Sequence, residues 1–171
     1  ILTPLPSSAD WAVQKLIQLW SVAKAEVICM DVSKHDEVLA HTSHLPHLMA
    51  FNVVEQLANR EDNLDIFRYA AGGFRDFSRI AASDPQMWHD IFFANKNAIL
   101  NAVAGFEQQL SVLKQLIENE DSQALMGLLG HAQAARQHFN HMLAKKPLME
   151  KNKVTQQFTI LPGKKTFTGK F

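Results

Sequence analysis

This 171-residue chain has one cysteine, seven glycines, no net charge and no long apolar run, and each shortage excludes something. A single cysteine, Cys29, leaves no internal disulfide framework and fits a reducing compartment, so a cytoplasmic location is expected. The glycines form neither a G-x-G-x-x-G fingerprint nor a Walker loop. Their closest approach to one is Gly127-Leu-Leu-Gly130, inside a helical pattern. No apolar stretch reaches the roughly 18 residues that a membrane-spanning helix needs. Ile1 opens on an apolar, proline-containing stretch without the basic region of a signal peptide, and a start at Ile rather than Met reads as a piece of something longer.

What is present is a core and a charge partition. Hydrophobic residues make up 47% of the chain, and a chain of this length buries roughly two-thirds of its unfolded surface, so no disulfide or metal staple is required. One or two domains are expected. Seventeen basic residues balance seventeen acidic ones, but unevenly. Residues 1–144 carry ten basic and sixteen acidic groups, whereas 145–171 carry seven lysines and one glutamate. Two regions with different roles follow from that split.

Periodicity predicts a mostly helical body. Ile1 to Pro6 reads as the end of a strand or a linker. A helix to about Lys24 is expected to begin near the N-cap candidates Ser7, Ser8 and Asp10, with Trp11, Leu16, Leu19 and Trp20 on one face. Glu26 to Asp31 is short, apolar and β-branched, and predicts a strand. Ser33 to Arg60 carries one long helical pattern that Pro46 must kink or split. Leu64 to Ala71 predicts a short helix stopped by Gly72-Gly73, and Phe74 to Ser83 another. Asp84-Pro85 is an N-cap followed by an N1 proline.

Ile99, Val103, Phe106, Leu110, Leu113 and Ile117 then recur at heptad-like spacing, as do Leu125, Leu128, Ala132, Ala135, Phe139 and Met142 after a break at Asn119 to Ser122. Such a helical hairpin either buries its stripes in its own core or packs one seam on a second copy of the chain. Beyond Pro147, Val154 to Leu161 and Thr166 to Phe171 read as β-type runs around a Pro162-Gly163-Lys164-Lys165 turn.

Eight histidines are many for this length, and His35, His41, His44 and His47 crowd one segment. Metal binding is disfavoured, because there is no H-E-x-x-H pattern and Pro46 interrupts the spacing. The alternative places His35, Ser43, His44 and His47 in a pocket whose other wall comes from residues 72–88. Gly72 and Gly73 would allow close backbone approach, and Arg75 and Arg79, four apart, could grip a carboxylate at roughly 1.5–3 kcal/mol per charge-assisted bond. The competing reading pairs those arginines with Asp76, Asp84 or other acids and leaves Trp88 in the core. Ser43 and His47 are also four apart, but no orienting third group makes them a nucleophile and base.

Two extended motifs in order resemble the helical C-terminal domain of prephenate dehydrogenases and the related arogenate and cyclohexadienyl dehydrogenases. The first is His35-Asp36 with Ala40-His41-Thr42-Ser43-His44-Leu45-Pro46-His47. The second is Gly72-Gly73-Phe74-Arg75-Asp76-Phe77-Ser78-Arg79-Ile80-Ala81 with Asp84-Pro85, Met87-Trp88 and Asp90-Ile91. The likeness runs from about Ile1 to Lys146.

It implies an all-α helical dimerisation domain of about six helices, with the short strand near 26–31 and a β-type C-terminal tail. Residues 1–6 would end a dinucleotide-binding domain that is not part of this chain. Residues 7–146 would bind substrate and dimerise, and 147–171 would be a basic tail or a linker to a following domain. The implied reaction is oxidative decarboxylation of prephenate or arogenate with NAD or NADP, in tyrosine biosynthesis.

Ser43, His47 and Arg79 would bind substrate, and His35, His44, Gly72, Asp76 and Trp88 would shape the site. The catalytic base and the cofactor site would lie outside this chain, and no metal, nucleic acid or membrane is implied. Ile160 to Phe171 also resembles the opening of an enolpyruvylshikimate-phosphate synthase, which would make the protein a fusion of two enzymes. The alternative is a basic extension over its own helices. The alternative function is a non-catalytic helical interaction module with a basic tail.

Overall fold

A computed structural model describes residues 1–144. The β-type tail, its turn and the synthase-like stretch lie outside the described residues. Those described form α1 (Asp10–Val22), α2 (Val32–Leu39), a π turn (Ala40–His44), α3 (Leu45–Ala58), α4 (Asn63–Arg68), α5 (Gly72–Ser78), a 3-10 turn (Arg79–Ala82), α6 (Pro85–Ala94), α7 (Lys96–Glu118) and α8 (Ser122–Ala144). They divide into two compact units, Ile1–Val112 and the residues from Leu113 onward, with the boundary inside α7.

In the first unit the segment around Pro46 runs as α2, the π turn and α3 rather than as one continuous α-helix. An α-helix would require residue 46 to donate to the carbonyl of residue 42, which proline cannot do. The backbone instead widens over Ala40–His44, where the Leu45 N–H reaches back to the Ala40 carbonyl, and then resumes as α3. Side chains bond to carbonyls of this stretch: the Thr42 hydroxyl donates to the Val38 carbonyl at 2.8 Å, and His47 Nδ1 bonds the Ser43 carbonyl at 2.8 Å. The core forms here, with Ala40 fully buried against Ile99 and Ala102 of α7 and with Leu45, Leu48 and Phe92 packed around them.

Two expectations need correction. Residues 26–31 are not a strand, because their β pairing is a single parallel bridge between Leu2 and Cys29. Leu2 N–H donates to the Ile28 carbonyl at 2.8 Å, and Met30 N–H donates to the Leu2 carbonyl at 3.1 Å. A strand needs a longer partner than that one residue. Gly72-Gly73 begins α5 rather than stopping α4, since Ala71 is already extended and serves as its N-cap. On α1 the buried residue is Ile17, while Trp11 and Leu19 stand 68% and 63% exposed. That apolar face is therefore largely uncovered among the described residues.

Asp84 and Pro85 behave as their types require. The Asp84 carboxylate accepts the Met87 N–H at 2.9 Å, and Pro85 occupies the first position of α6. In the second unit α7 ends in a six-residue loop-back, in which Asp121 N–H donates to the Leu116 carbonyl at 3.0 Å and Glu120 adopts a left-handed φ of 54°. Asp121 then caps α8 by accepting the Ala124 N–H at 3.0 Å. Asp84→Ala is expected to cost about 1 kcal/mol of stability in urea unfolding, and Asp84→Asn to restore most of it.

Candidate functional site

The π turn sets three side chains at the N-terminal end of α3. His44 is buried, and Ser43 and His47 are half-buried. Because a carbonyl oxygen can only accept, the His47 Nδ1 that meets the Ser43 carbonyl carries a proton. Its Nε2 is then the nitrogen left without a hydrogen-bond partner among the described residues. α6 brings Trp88 across this turn. The His47 ring stacks on the Trp88 ring with centroids 3.8 Å apart and planes at 22°, and His44 meets Trp88 edge-on at 6.2 Å and 75°. Phe92, one turn along α6, extends the cluster at 5.5 Å from Trp88.

Trp88 is only 6% exposed, yet its indole N–H has no hydrogen-bond partner among the described residues. An unmet donor at that depth costs about 1–3 kcal/mol, so the site holds one donor that the described residues leave unused. His44 is held below the ordinary histidine range, first by burial and then by the nearby His35, with His47 adding to the effect and Asp36 opposing it. It is therefore neutral at neutral pH. Its Nδ1 meets the Asn95 amide nitrogen at 3.2 Å, and that same nitrogen donates to the Asp36 carbonyl at 2.8 Å. His35 joins through its neighbour, with Nδ1 at 2.9 Å from the Asp36 carboxylate.

α5 and the 3-10 turn pack on α3 and on each other. They carry Gly72, Asp76 and Arg79, all exposed. A Cβ built on Gly72 or Gly73 would meet nothing within 4 Å, so the close approach expected at these glycines is not made by any described part of the chain. The expected pairing of Arg75 and Arg79 with Asp76 or Asp84 is also absent among the described ion pairs. Arg79 opens the 3-10 turn as an exposed cation with no acidic partner among the described residues.

The structure thus gathers Ser43, His44, His47 and Trp88 directly and His35 at one remove. It sets Gly72, Asp76 and Arg79 on the neighbouring segment, without a hydrogen bond to the ring cluster among the described residues. Asn95 escaped the sequence reading. The polar run Asn95-Lys96-Asn97 between the apolar patterns of α6 and α7 was the available signal, but it reads equally as an ordinary helix junction. No group of three or more His, Cys, Asp or Glu side chains among the described residues could hold a metal ion. No described helix is long and apolar enough to cross a membrane.

Residues 31–131 match the family described as prephenate dehydrogenase, dimerization domain. The chain is 35% identical over 138 residues to the cyclohexadienyl dehydrogenase of Zymomonas mobilis, covering 80% of this chain and 47% of that protein. It is 36% identical over 126 residues to the prephenate dehydrogenase of Bacillus subtilis, covering 73% of this chain and 34% of that one. Among solved structures it resembles prephenate dehydrogenase from A. aeolicus in complex with hydroxyphenyl propionate and NAD+, with a TM-score of 0.74 and 37% identity over 80% of this chain and 48% of that chain. The chain spans about half or less of the length of these relatives.

The buried His44 makes stability depend on pH in a definite direction. Its folded pKa lies below the ordinary 6.5, so on acidification the unfolded chain takes up the proton first and unfolding is favoured. That contribution is intact above pH 6.5 and is lost as pH falls through the lowered folded value. Chemical denaturation at pH 7.5 and at about pH 5.5 is expected to show lower stability in acid, with the difference reduced in His44→Gln.

Proposed function

The chain belongs to the prephenate dehydrogenase dimerization-domain family, and on that premise we propose that it supplies the substrate-carboxylate site and the dimer interface of a cyclohexadienyl oxidoreductase. The carrying observation is the exposed Arg79, without an acidic partner among the described residues, on a turn packed against α3, where His47 lies stacked on Trp88. Such a guanidinium holds a carboxylate through two parallel N–H bonds, and the buried indole N–H of Trp88 adds a donor without adding charge. Prephenate or arogenate, anions built on a six-membered ring, have the carboxylate and the flat face that such a set recognises. Ser43 supplies a hydroxyl beside His47. His35 and His44 support the turn from behind, and Gly72 and Asp76 border it from α5.

Oxidative decarboxylation moves a hydride from the ring to a nicotinamide and releases carbon dioxide. The described residues contain no βαβ unit to cradle a dinucleotide. NAD or NADP is therefore assigned to another part of the full-length protein, together with the base that accepts the ring hydroxyl proton. The residues of this chain bind and orient the anion, and none is given a role toward the cofactor. We read the full-length enzyme as a cytoplasmic member of the tyrosine pathway. In this reading the basic tail leads toward a following synthase domain.

The dimer reading rests on the long helices. On α7 Ile117 is 63% exposed, and on α8 Met126 is 67% exposed and Phe139 half-exposed. Gly105, Gly127 and Gly130 face open space. Heptad-like stripes left uncovered in one chain are satisfied when a second copy covers them. Phe139→Glu is expected to shift the protein toward monomer in sedimentation velocity at micromolar concentration, and an unchanged dimer would remove α8 from the interface. Arg79→Ala in the full-length enzyme should raise KM about ten- to a hundredfold, from the loss of a charge-assisted grip. Unchanged KM and kcat would take Arg79 out of the site.

A further inference from the structure

We propose that Asn95 is a positioning residue of this site, one whose single amide nitrogen holds His44 as the tautomer protonated on Nε2, so that His44 offers an N–H donor to a bound carboxylate. The carboxylate part rests on the function proposed above. The tautomer part rests on geometry alone.

Asn95 is the one residue between α6 and α7, and its backbone already serves both helices. Its N–H donates to the Ile91 carbonyl at 3.0 Å, and its carbonyl accepts the Ile99 N–H at 3.1 Å. The side chain is thus fixed at the junction between the helix carrying Trp88 and the helix carrying the core residue Ile99. It crosses 59 residues of sequence to the Asp36 carbonyl and 51 to His44. A carbonyl accepts only, so the Asn95 group facing Asp36 at 2.8 Å is the NH2 and not the amide oxygen. The second proton of that NH2 goes to His44 Nδ1 at 3.2 Å, which makes Nδ1 the acceptor. In a neutral imidazole the proton must then sit on Nε2, which has no hydrogen-bond partner among the described residues.

The consequence travels along the rings. His44 stands edge-on to Trp88, and Trp88 lies flat on His47, so the amide that fixes His44 also steadies the ring pair at the mouth of α3. The His47 proton is fixed independently on Nδ1 by the Ser43 carbonyl. Neighbouring imidazoles therefore present opposite characters: His44 an N–H donor at Nε2, His47 an acceptor at Nε2 when neutral. Such a pair discriminates between the protonated and unprotonated ends of a ligand by hydrogen-bond polarity rather than by charge.

The test uses full-length protein labelled with 15N at histidine, with the His44 ring signals identified by their loss in His44→Gln. At neutral pH the wild-type protein should show an unprotonated Nδ1 and a protonated Nε2 at His44. A protonated Nδ1 overturns the proposal, whatever the protein binds. Asn95→Asp replaces the donor by a carboxylate, which only accepts, and should draw the His44 proton onto Nδ1. Asn95→Ala, which removes the donor without adding charge, should leave the two tautomers mixed, and it serves if the aspartate variant does not fold.

Calorimetric affinity for hydroxyphenyl propionate should fall about tenfold in either variant, the loss expected for one misdirected hydrogen bond. A switched tautomer with unchanged affinity would show that Asn95 positions nothing the ligand uses. Absence of binding by the wild-type protein would instead sink the carboxylate reading, while the ring signals still decide the link from Asn95 to His44.

Discussion

Much of the first unit depends on the backbone constraint imposed by Pro46. Proline takes one donor away from a helix that must keep running, and the chain answers with a five-residue π turn instead of a break. The wide turn has three effects at once. It buries Ala40 against Ile99 and Ala102, sends His44 inward to Asn95, and leaves His47 half-buried for stacking on Trp88. In a regular α-helix, residues 40, 44 and 47 would lie along one face. Here they meet three different partners: a core helix, a junction amide and an indole.

The electrostatics of the site follow from depth. His44, nearly buried, is kept neutral because a charge there would lose its hydration and face His35 and His47. Arg79 is exposed on the 3-10 turn and has no acidic partner among the described residues. The proposed anion site therefore combines a buried neutral ring with an exposed cation on the neighbouring segment. Trp88 belongs to both parts, since its face stacks on His47 and its N–H is left unsatisfied. The pairing of a satisfied ring and an orphan donor separates this tryptophan from an ordinary core residue.

The long helices obey a different constraint. The turn between them is capped on both sides: Glu120 turns left-handed to close α7, and Asp121 opens α8. Their apolar stripes are nevertheless left to solvent over much of their length. Local hydrogen bonding thus closes the turn between the helices, while much of the burial that normally stabilises an amphipathic helix of 23 residues is not found among the described residues. The matching family is described by its dimerization domain, and the proposed dimer would cover that surface.

The sequence by itself determined the helical class, the Asp84-Pro85 start of α6, the two long heptad-like helices and the motif bearing Ser43, His44 and His47. These are set by periodicity, capping and proline chemistry, which act within a few residues. It misplaced the strand at 26–31, because a β pairing depends on a partner elsewhere and Leu2 offers only one. The buried side of α1 was likewise beyond it, since several faces of that helix are apolar and only packing selects Ile17. Gly72-Gly73 read as a stop because glycine ends helices as readily as it begins them. Tertiary structure alone decided that Trp88 stacks on His47, that Arg79 has no acidic partner among the described residues, and that the Asn95 amide meets His44. The stacking and the amide contact join groups tens of residues apart in sequence, brought within a few ångströms around the wide turn that precedes Pro46.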